Sequence, residues 1–280
     1  MNNEELKLLH NKILEIAEYF EEFCKENDII YYLMGGTALG AMRHQGFIPW
    51  DDDFDVFMDY ENYIKFLSIV DAQLDTKRFY FQKEDTEEWP MYFSKIRMNG
   101  TTFIEKDIKN RKMHHGIYID IMCLNSASTN TFFRYTQYFF ARVLNTRVLA
   151  EKGYITNSNF KKIAMFLSKI IIQKPIKKLL LKYIRRLNNQ ETNLIGHFFG
   201  RAPFTKTSFK TNYLGTQRYV KFESLMLPVC QNVEEYLKVR YGKNYMKLPS
   251  EETKLQYPTH GYIVDTKKSY KEYFKKDKDV

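Results

Sequence analysis

Four aspartates in five positions, Asp51-Asp52-Asp53-Phe54-Asp55, run straight into the apolar triplet Val56-Phe57-Met58. The triplet reads as part of a buried strand, and the pattern carries that strand back to Asp51. Alternate side chains of a strand share a face, so Asp53 and Asp55 point the same way with Cα atoms about 7 Å apart. Asp51 joins them if the strand begins that early. Carboxylates this close repel one another unless a cation sits between them. The fold must therefore open this strand onto a cleft that admits cations. A hard divalent ion, Mg2+ or Mn2+, suits oxygen ligands of this kind and keeps positions free for substrate phosphates.

Just upstream, Ile29–Met34 is a short β-rich run, and Gly35-Gly36-Thr37 makes a tight turn after it. Thr37 is expected to cap a short helix over Ala38–His44. A Gly-Gly turn allows close backbone approach to a ligand, and the amides of a helix starting there face an anion. Gly35, Gly36 and Thr37 are thus candidates for holding a phosphate opposite the cation. A third carboxylate is expected on a neighbouring strand. Asp120 is the candidate, because an acid inside the apolar run Gly116–Cys123 needs a metal, a cation or a hydrogen-bond donor. Arg43, Lys95 and Arg97 either contact phosphates or neutralise the aspartates. His44 either binds phosphate or caps the short helix. Trp50 stacks on a base, faces a quaternary ammonium or wedges the core. His114-His115 reads as ordinary structure, since adjacent strand residues point apart.

The rest of the chain is organised by periodicity. Leu6, Leu9, Ile13, Ala17, Phe20 and Cys24 place an amphipathic helix over about residues 3–27. Asp59 caps a second helix. Asn99-Gly100 predicts a hairpin pairing Tyr92–Met98 with Thr101–Glu105. Helices follow over 131–150, 159–172 and 175–187. Asn232 and Glu235 suggest a capping box for a helix that stops at Gly242. The expected division is an N-terminal helix and catalytic core over 1–130, a basic helical segment over 131–190, and the C-terminal part of the same domain over 191–280.

Charge is confined to one of these parts. The net charge is +9, yet Lys152 through Arg186 holds ten Lys or Arg and no acid, leaving −1 for everything else. Over 161–186 the basic residues alternate with Ile, Leu, Phe and Met. Such helices either lie on an anionic membrane or form a lobe with their apolar face in the core. No nucleic-acid motif accompanies the charge, so nucleic acid is not an expected partner. Cys24, Cys123 and Cys230 form no CxxC pair, which suits a reducing compartment. The acidic N-terminus has no apolar signal core. The expected location is the cytoplasm, or peripherally the inner face of the membrane.

The run from Gly36-Thr37 through Gly40, Arg43-His44, Gly46-Phe47-Ile48-Pro49-Trp50 to Asp55 resembles the LicD family, phosphocholine transferases of bacterial surface glycans with fukutin-type relatives. Lys95-Ile96-Arg97, Thr101–Glu105 and Gly116–Ile121 extend the resemblance, which spans about residues 28–250. It implies an α+β fold: a nucleotidyltransferase-like mixed sheet flanked by helices, with a largely helical C-terminal half. It also implies Gly36, Thr37, Asp53, Asp55 and Asp120 at the catalytic positions. The implied reaction moves phosphocholine, or a similar phosphoalkyl group, from a CDP-linked donor, CDP-choline foremost. The acceptor would be a lipid-linked glycan such as a teichoic acid or lipopolysaccharide precursor. One departure is Met122-Cys123-Leu124-Asn125, where the family often reads Phe-Pro-Leu-Asp, so no acid stands at 125. The same residues would also serve an enzyme moving a nucleoside monophosphate onto a sugar or other small acceptor.

Overall fold

The computed structural model describes residues 1–154, 156–255 and 259–275. The chain opens with α1 (Asn3–Glu26), whose buried stripe includes Leu9, Ile13, Ile16, Phe20 and Cys24. Fully burying each large aliphatic or aromatic side chain contributes about 1.5–3 kcal/mol. A capping box starts the helix: Glu5 N–H donates to Asn2 Oδ1 and Asn2 N–H to Glu5 Oε2, both at 2.9 Å. The box expected at Asn232 does not form, because Asn232 makes no side-chain cap bond.

Then come β1 (Tyr32–Leu33), α2 (Gly35–His44), β2 (Asp55–Met58), α3 (Tyr60–Gln73), β3 (Phe79–Gln82), β4 (Ser94–Met98), β5 (Thr102–Glu105), β6 (Tyr118–Cys123) and β7 (Asn125–Ala127). Three helices follow, α4 (Thr131–Lys152), α5 (Asn159–Ile171) and α6 (Lys174–Ile184). The C-terminal part holds β8 (Leu194–Gly196), β9 (Ser208–Lys210), β10 (Arg218–Phe222), β11 (Leu225–Val229), α7 (Val233–Tyr241), α8 (Glu251–Leu255), β12 (Gly261–Asp265) and α9 (Tyr270–Lys275).

The main sheet is mixed, in the order β10-β11-β1-β2-β6-β4-β3. The pairs β1/β11 and β2/β6 are parallel and the others antiparallel. The fold is thus the α+β arrangement expected, but the C-terminal half is less helical than expected: the late hairpin β10–β11 completes the main sheet beside β1, β8 and β9 form a second sheet with β7, and β12 pairs with β5. One core joins α1, α2, α3 and α7 to this sheet, from Leu9 and Phe20 to Phe222, Val229 and Leu237. A second, smaller core lies under α4 and α6 around Leu144, Val148, Ile184 and Phe198.

Several local expectations are corrected. Asn99-Gly100 turns the chain, with Gly100 at φ +73°, but β4 and β5 do not pair. Strand β4 is taken on both sides by β3 and β6, and β5 pairs instead with β12 near the C-terminus. Thr37 is not a helix cap. The helix starts earlier, at Gly35, with Met34 as its N-cap residue, and Thr37 Oγ1 accepts the Asp55 N–H at 2.8 Å. The strand expected from Asp51 begins only at Asp55; before it, the Asp51 N–H donates to the Ile48 carbonyl and the Asp52 carboxylate accepts from His260 and Gly261. Among the described residues no helix is long and apolar enough to cross a membrane.

Candidate functional site

The acids meet at the end of β2. Parallel pairing sets Asp55 opposite Asp120 of β6, and antiparallel pairing sets Lys95 of β4 opposite Asp120. Directly paired residues share a face, so Asp55, Asp120 and Lys95 form one row across three strands. Lys95 Nζ lies 2.6 Å from Asp120 Oδ1, and both side chains are buried. The same ammonium stands 3.2 Å from the Tyr118 ring centroid and 5.0 Å from that of Trp89. Arg97, two residues along, stacks on Tyr118 and donates to Gln82 Oε1 and to the Gly116 carbonyl, both at 2.8 Å. Both cations are thus turned into the protein, and Lys95 neutralises an aspartate.

Although β2 starts at Asp55, alternation persists before it. Asp51, Asp53 and Asp55 are half-buried, while Asp52 and Phe54 between them are buried. Of the three half-buried carboxylates, Asp51 and Asp55 lie beside the first turn of α2. A Cβ on Gly35 would sit 3.2 Å from Asp55 Oδ2, and one on Gly36 would sit 2.9 Å from Asp51 Oδ2. The glycine pair therefore makes room for two carboxylates at the positive end of the helix dipole. Gly35 also takes φ +62°, which favours glycine. Its N–H donates to the Tyr236 hydroxyl of α7 at 2.9 Å.

This crowding shows in the proton affinities. Burial, then the Asp53 and Asp52 charges, pushes the Asp51 carboxyl up to about 8. Burial, followed by Asp53, Asp120 and Asp51, holds Asp55 well above the usual carboxylate range. Burial raises Asp53 against the opposing pull of His260, and raises Asp120 against that of Lys95. A cleft holding this many carboxylates is short of positive charge.

Three anchors are not marked in the sequence: His260, Tyr236 and His10. Asp52 points away from its neighbours and accepts the N–H groups of His260 at 2.6 Å and Gly261 at 2.8 Å, while His260 Nδ1 lies 3.0 Å from its Oδ1. That hydrogen bond raises His260 to about 9, against burial, with the Asp53 charge assisting. Strand alternation marks Asp52 as different from Asp51 and Asp53; no local signal marks His260 or Tyr236. His10 of α1 stacks on Phe47 at 3.9 Å and reaches the Asp51 carbonyl through Nε2 at 2.7 Å.

The remaining candidates stand at the rim. Arg43 donates to His44 Nε2 at 2.9 Å and to the Tyr245 and Lys247 carbonyls, fastening that segment. His44 meets Trp50 edge-on, and Lys254 lies 4.5 Å from the Trp50 ring centroid. His114 and His115 bond to Asn99 and to the Arg111 carbonyl, away from the acids.

Residues 28–144, which contain every acid of this site, match the family described as LicD/FKTN/FKRP, nucleotidyltransferase domain. This segment is similar to LicD-type nucleotidyltransferase domains. The chain is also 29% identical over 260 residues to the lipopolysaccharide cholinephosphotransferase LicD of Haemophilus influenzae, covering 88% of this chain and 92% of that protein. An uncharacterized protein of Rickettsia typhi is 47% identical over 58 residues, 21% of this chain and 19% of its own. The yeast mannosyltransferase regulator 4 is 28% identical over 116 residues, 39% of this chain and 9% of its own.

The donor set of this site suits a hard divalent cation in its chemistry, being all carboxylate oxygen. Among the described residues no group of three or more His, Cys, Asp or Glu side chains is arranged to hold a metal ion, and Asp120 is engaged by Lys95. Mg2+ does not demand such a group. It is usually held by one or two carboxylates, with water and substrate phosphates filling the other positions. Asp53 and Asp55 are the pair of carboxylates that would serve such an ion here.

Proposed function

We propose that this chain is a LicD-like phosphotransferase. It moves phosphocholine, or a similar phosphoalkyl group, from a CDP-linked donor to a hydroxyl of a surface glycan such as a lipopolysaccharide or teichoic acid precursor. The observation that carries this reading is the register match of Asp55 with Asp120, beside a glycine turn that admits the Asp51 and Asp55 carboxylates. The similarity to a lipopolysaccharide cholinephosphotransferase over most of both chains supports the choice of group and acceptor.

Asp53 and Asp55, with Asp51, would hold Mg2+ or Mn2+. When bound, such an ion neutralises charge on the donor diphosphate and on the departing CMP. The first turn of α2 directs its positive end toward the same space. Asp120 is the candidate base. Burial raises its proton affinity while Lys95 favours its ionised form, so it is placed to accept the acceptor hydroxyl proton. The hydroxyl oxygen attacks the phosphorus next to choline in line. One O–P bond forms, the bond to CMP breaks, and the proton passes to the carboxylate. Incubation with CDP-choline, Mg2+ and acceptor glycan should release CMP. Asp53→Ala with unchanged circular dichroism should abolish that release, and retained turnover would refute the mechanism.

The family description, a nucleotidyltransferase domain, favours a second reading in which the nucleoside monophosphate itself is transferred. Mass spectrometry of the product separates the two: added phosphocholine supports the first reading, added CMP the second.

A further inference from the structure

Helix α5 presents an apolar face to solvent. Phe160, Ile163, Phe166, Leu167, Ile170 and Ile171 are between 46% and 81% exposed. On a helix of 3.6 residues per turn they fall within an arc of about 140°. Packing against the protein uses the adjoining side of α5, where Ser168 is buried and Ala164, Leu167, Ser168, Ile171 and Ile172 border a groove of about 270 Å³ against Val143 and Thr146 of α4, so Leu167 and Ile171 stand on the edge shared by the groove and the exposed face. The lobe reading, with an apolar face in the core, thus holds for α6, where Ile184 is buried and Leu180 and Leu181 pack on the second core, but not for these six side chains of α5.

The surroundings of that face are basic. Lys161, Lys162, Lys169, Lys174, Lys178 and Lys182 are exposed, and among the described residues none of them pairs with an acid. Lys177 and Arg185 are the ones engaged, with Asp85 and Glu84. By helical geometry Lys162 and Lys169 border the apolar arc directly. With ten basic residues and no acid between 152 and 186, and −1 elsewhere, attraction to an anionic surface would act on this segment alone.

We propose that α5, with the start of α6, docks on an anionic lipid bilayer. Its exposed apolar side enters the boundary between headgroups and acyl chains, and the bordering lysines lie at phosphate level. Charge complementarity selects this occupant. A second copy of the chain would bring two strongly basic segments together. A nucleic-acid backbone would leave the six apolar side chains unmet. The inference rests on this surface and not on the transfer reaction.

The test uses the full chain with sedimented vesicles of phosphatidylcholine alone or mixed with phosphatidylglycerol. Binding should appear with phosphatidylglycerol and weaken as salt screens the lysines. Each basic residue near an anionic surface contributes about fivefold, so Lys162→Glu with Lys169→Glu should weaken binding at least about 25-fold. Phe160→Ser with Phe166→Ser should remove it. Both pairs are exposed and outside the acid cleft, so circular dichroism and CMP release should be unchanged. An Ile163→Trp variant should shift its fluorescence to the blue on phosphatidylglycerol vesicles only. The proposal is overturned by absent binding, by equal binding to neutral vesicles, or by binding that survives the serine substitutions. It is also overturned if light scattering shows a dimer that those substitutions dissolve, or if the face captures duplex DNA in place of vesicles.

Discussion

Replacing Lys95 by Met separates the two roles a buried cation can have beside an acid cleft. Lys95 and Asp120 are 2% and 8% exposed, with charged atoms 2.6 Å apart and the ammonium against the Tyr118 ring. Met keeps the length and apolar body of the side chain but leaves the Asp120 carboxylate buried without its cation. Removing one partner of a buried pair costs about 3–5 kcal/mol. Unfolding entropy is about 2.1 cal/mol/K per residue, or roughly 0.6 kcal/mol/K for 280 residues. The expected loss in Tm is therefore about 5–8 °C by differential scanning calorimetry. Asp120→Asn should restore part of it in the Lys95→Met background, because the stranded charge is then gone. A coupling of at least about 2 kcal/mol is expected from the double-mutant cycle. Millimolar Mg2+ should stabilise Lys95→Met more than the wild type, since the vacated position then suits a cation. A Tm within about 1 °C of wild type, or additive single substitutions, would refute the view that Lys95 acts as the resident counter-cation of Asp120.

Three further outcomes are expected. Asp53→Asn should lower CMP release from CDP-choline at least about a thousandfold, the equivalent of about 4 kcal/mol of lost charge stabilisation, and chelation of the wild type with EDTA should do the same until Mg2+ is restored. Gly40→Ala should lower Tm by about 2–5 °C, because its Cβ would meet the Gly46 carbonyl oxygen at 2.4 Å; Gly36→Ala should leave Tm within about 2 °C yet impair turnover, because its Cβ displaces only the Asp51 carboxylate. The contribution of His114 to stability should fall as pH drops below about 6.5: Gly116 N–H donates to His114 Nδ1, so the ring is neutral in the folded state. Burial, then Arg97, holds its pKa down to about 3, so only the unfolded chain gains that proton between these values. The slope is at most about 1.4 kcal/mol per pH unit, and urea titrations at pH 7 and pH 5 should show it shrinking in His114→Gln.

What could be read in advance follows the range of the physics behind each signal. Periodicity is local, so α1, α3 and α4 through α7 stand within a few residues of their expected bounds. Asp120 was legible because an acid in an apolar run has few tolerable explanations. Pairing is not local. Asn99-Gly100 marks a turn correctly, but nothing near it reveals that β4 is already flanked by β3 and β6. The partner of β5 lies more than a hundred residues away, in β12. Gly35 and Gly36 were read as phosphate contacts because a bare backbone can accept any close neighbour, and the structure shows Asp55 and Asp51 as the neighbours. The apolar stripe of α5 is evident in sequence, but whether it faces core or water depends on the placement of α4.

The acids themselves are held by parts of the chain well outside residues 28–144, the span of the family match. The Asp52 carboxylate, 2% exposed, has His260 and Gly261 as its donors. Gly35, against which the Asp55 carboxylate lies, is tied to Tyr236. Glu223 accepts the Phe47 N–H through its side chain and donates its own N–H to the Gln45 carbonyl at 2.7 Å, fixing the loop that leads to Trp50. Strand β11 pairs with β1 on the outer side of the acid-bearing strand. Removing the C-terminal third would strand a buried carboxylate and several buried backbone groups, each costing about 1–3 kcal/mol or more. Together these match or exceed the whole stability of an ordinary domain, about 5–15 kcal/mol. The C-terminal third is therefore part of the site's framework, and catalytic geometry and fold completion are one requirement in this protein.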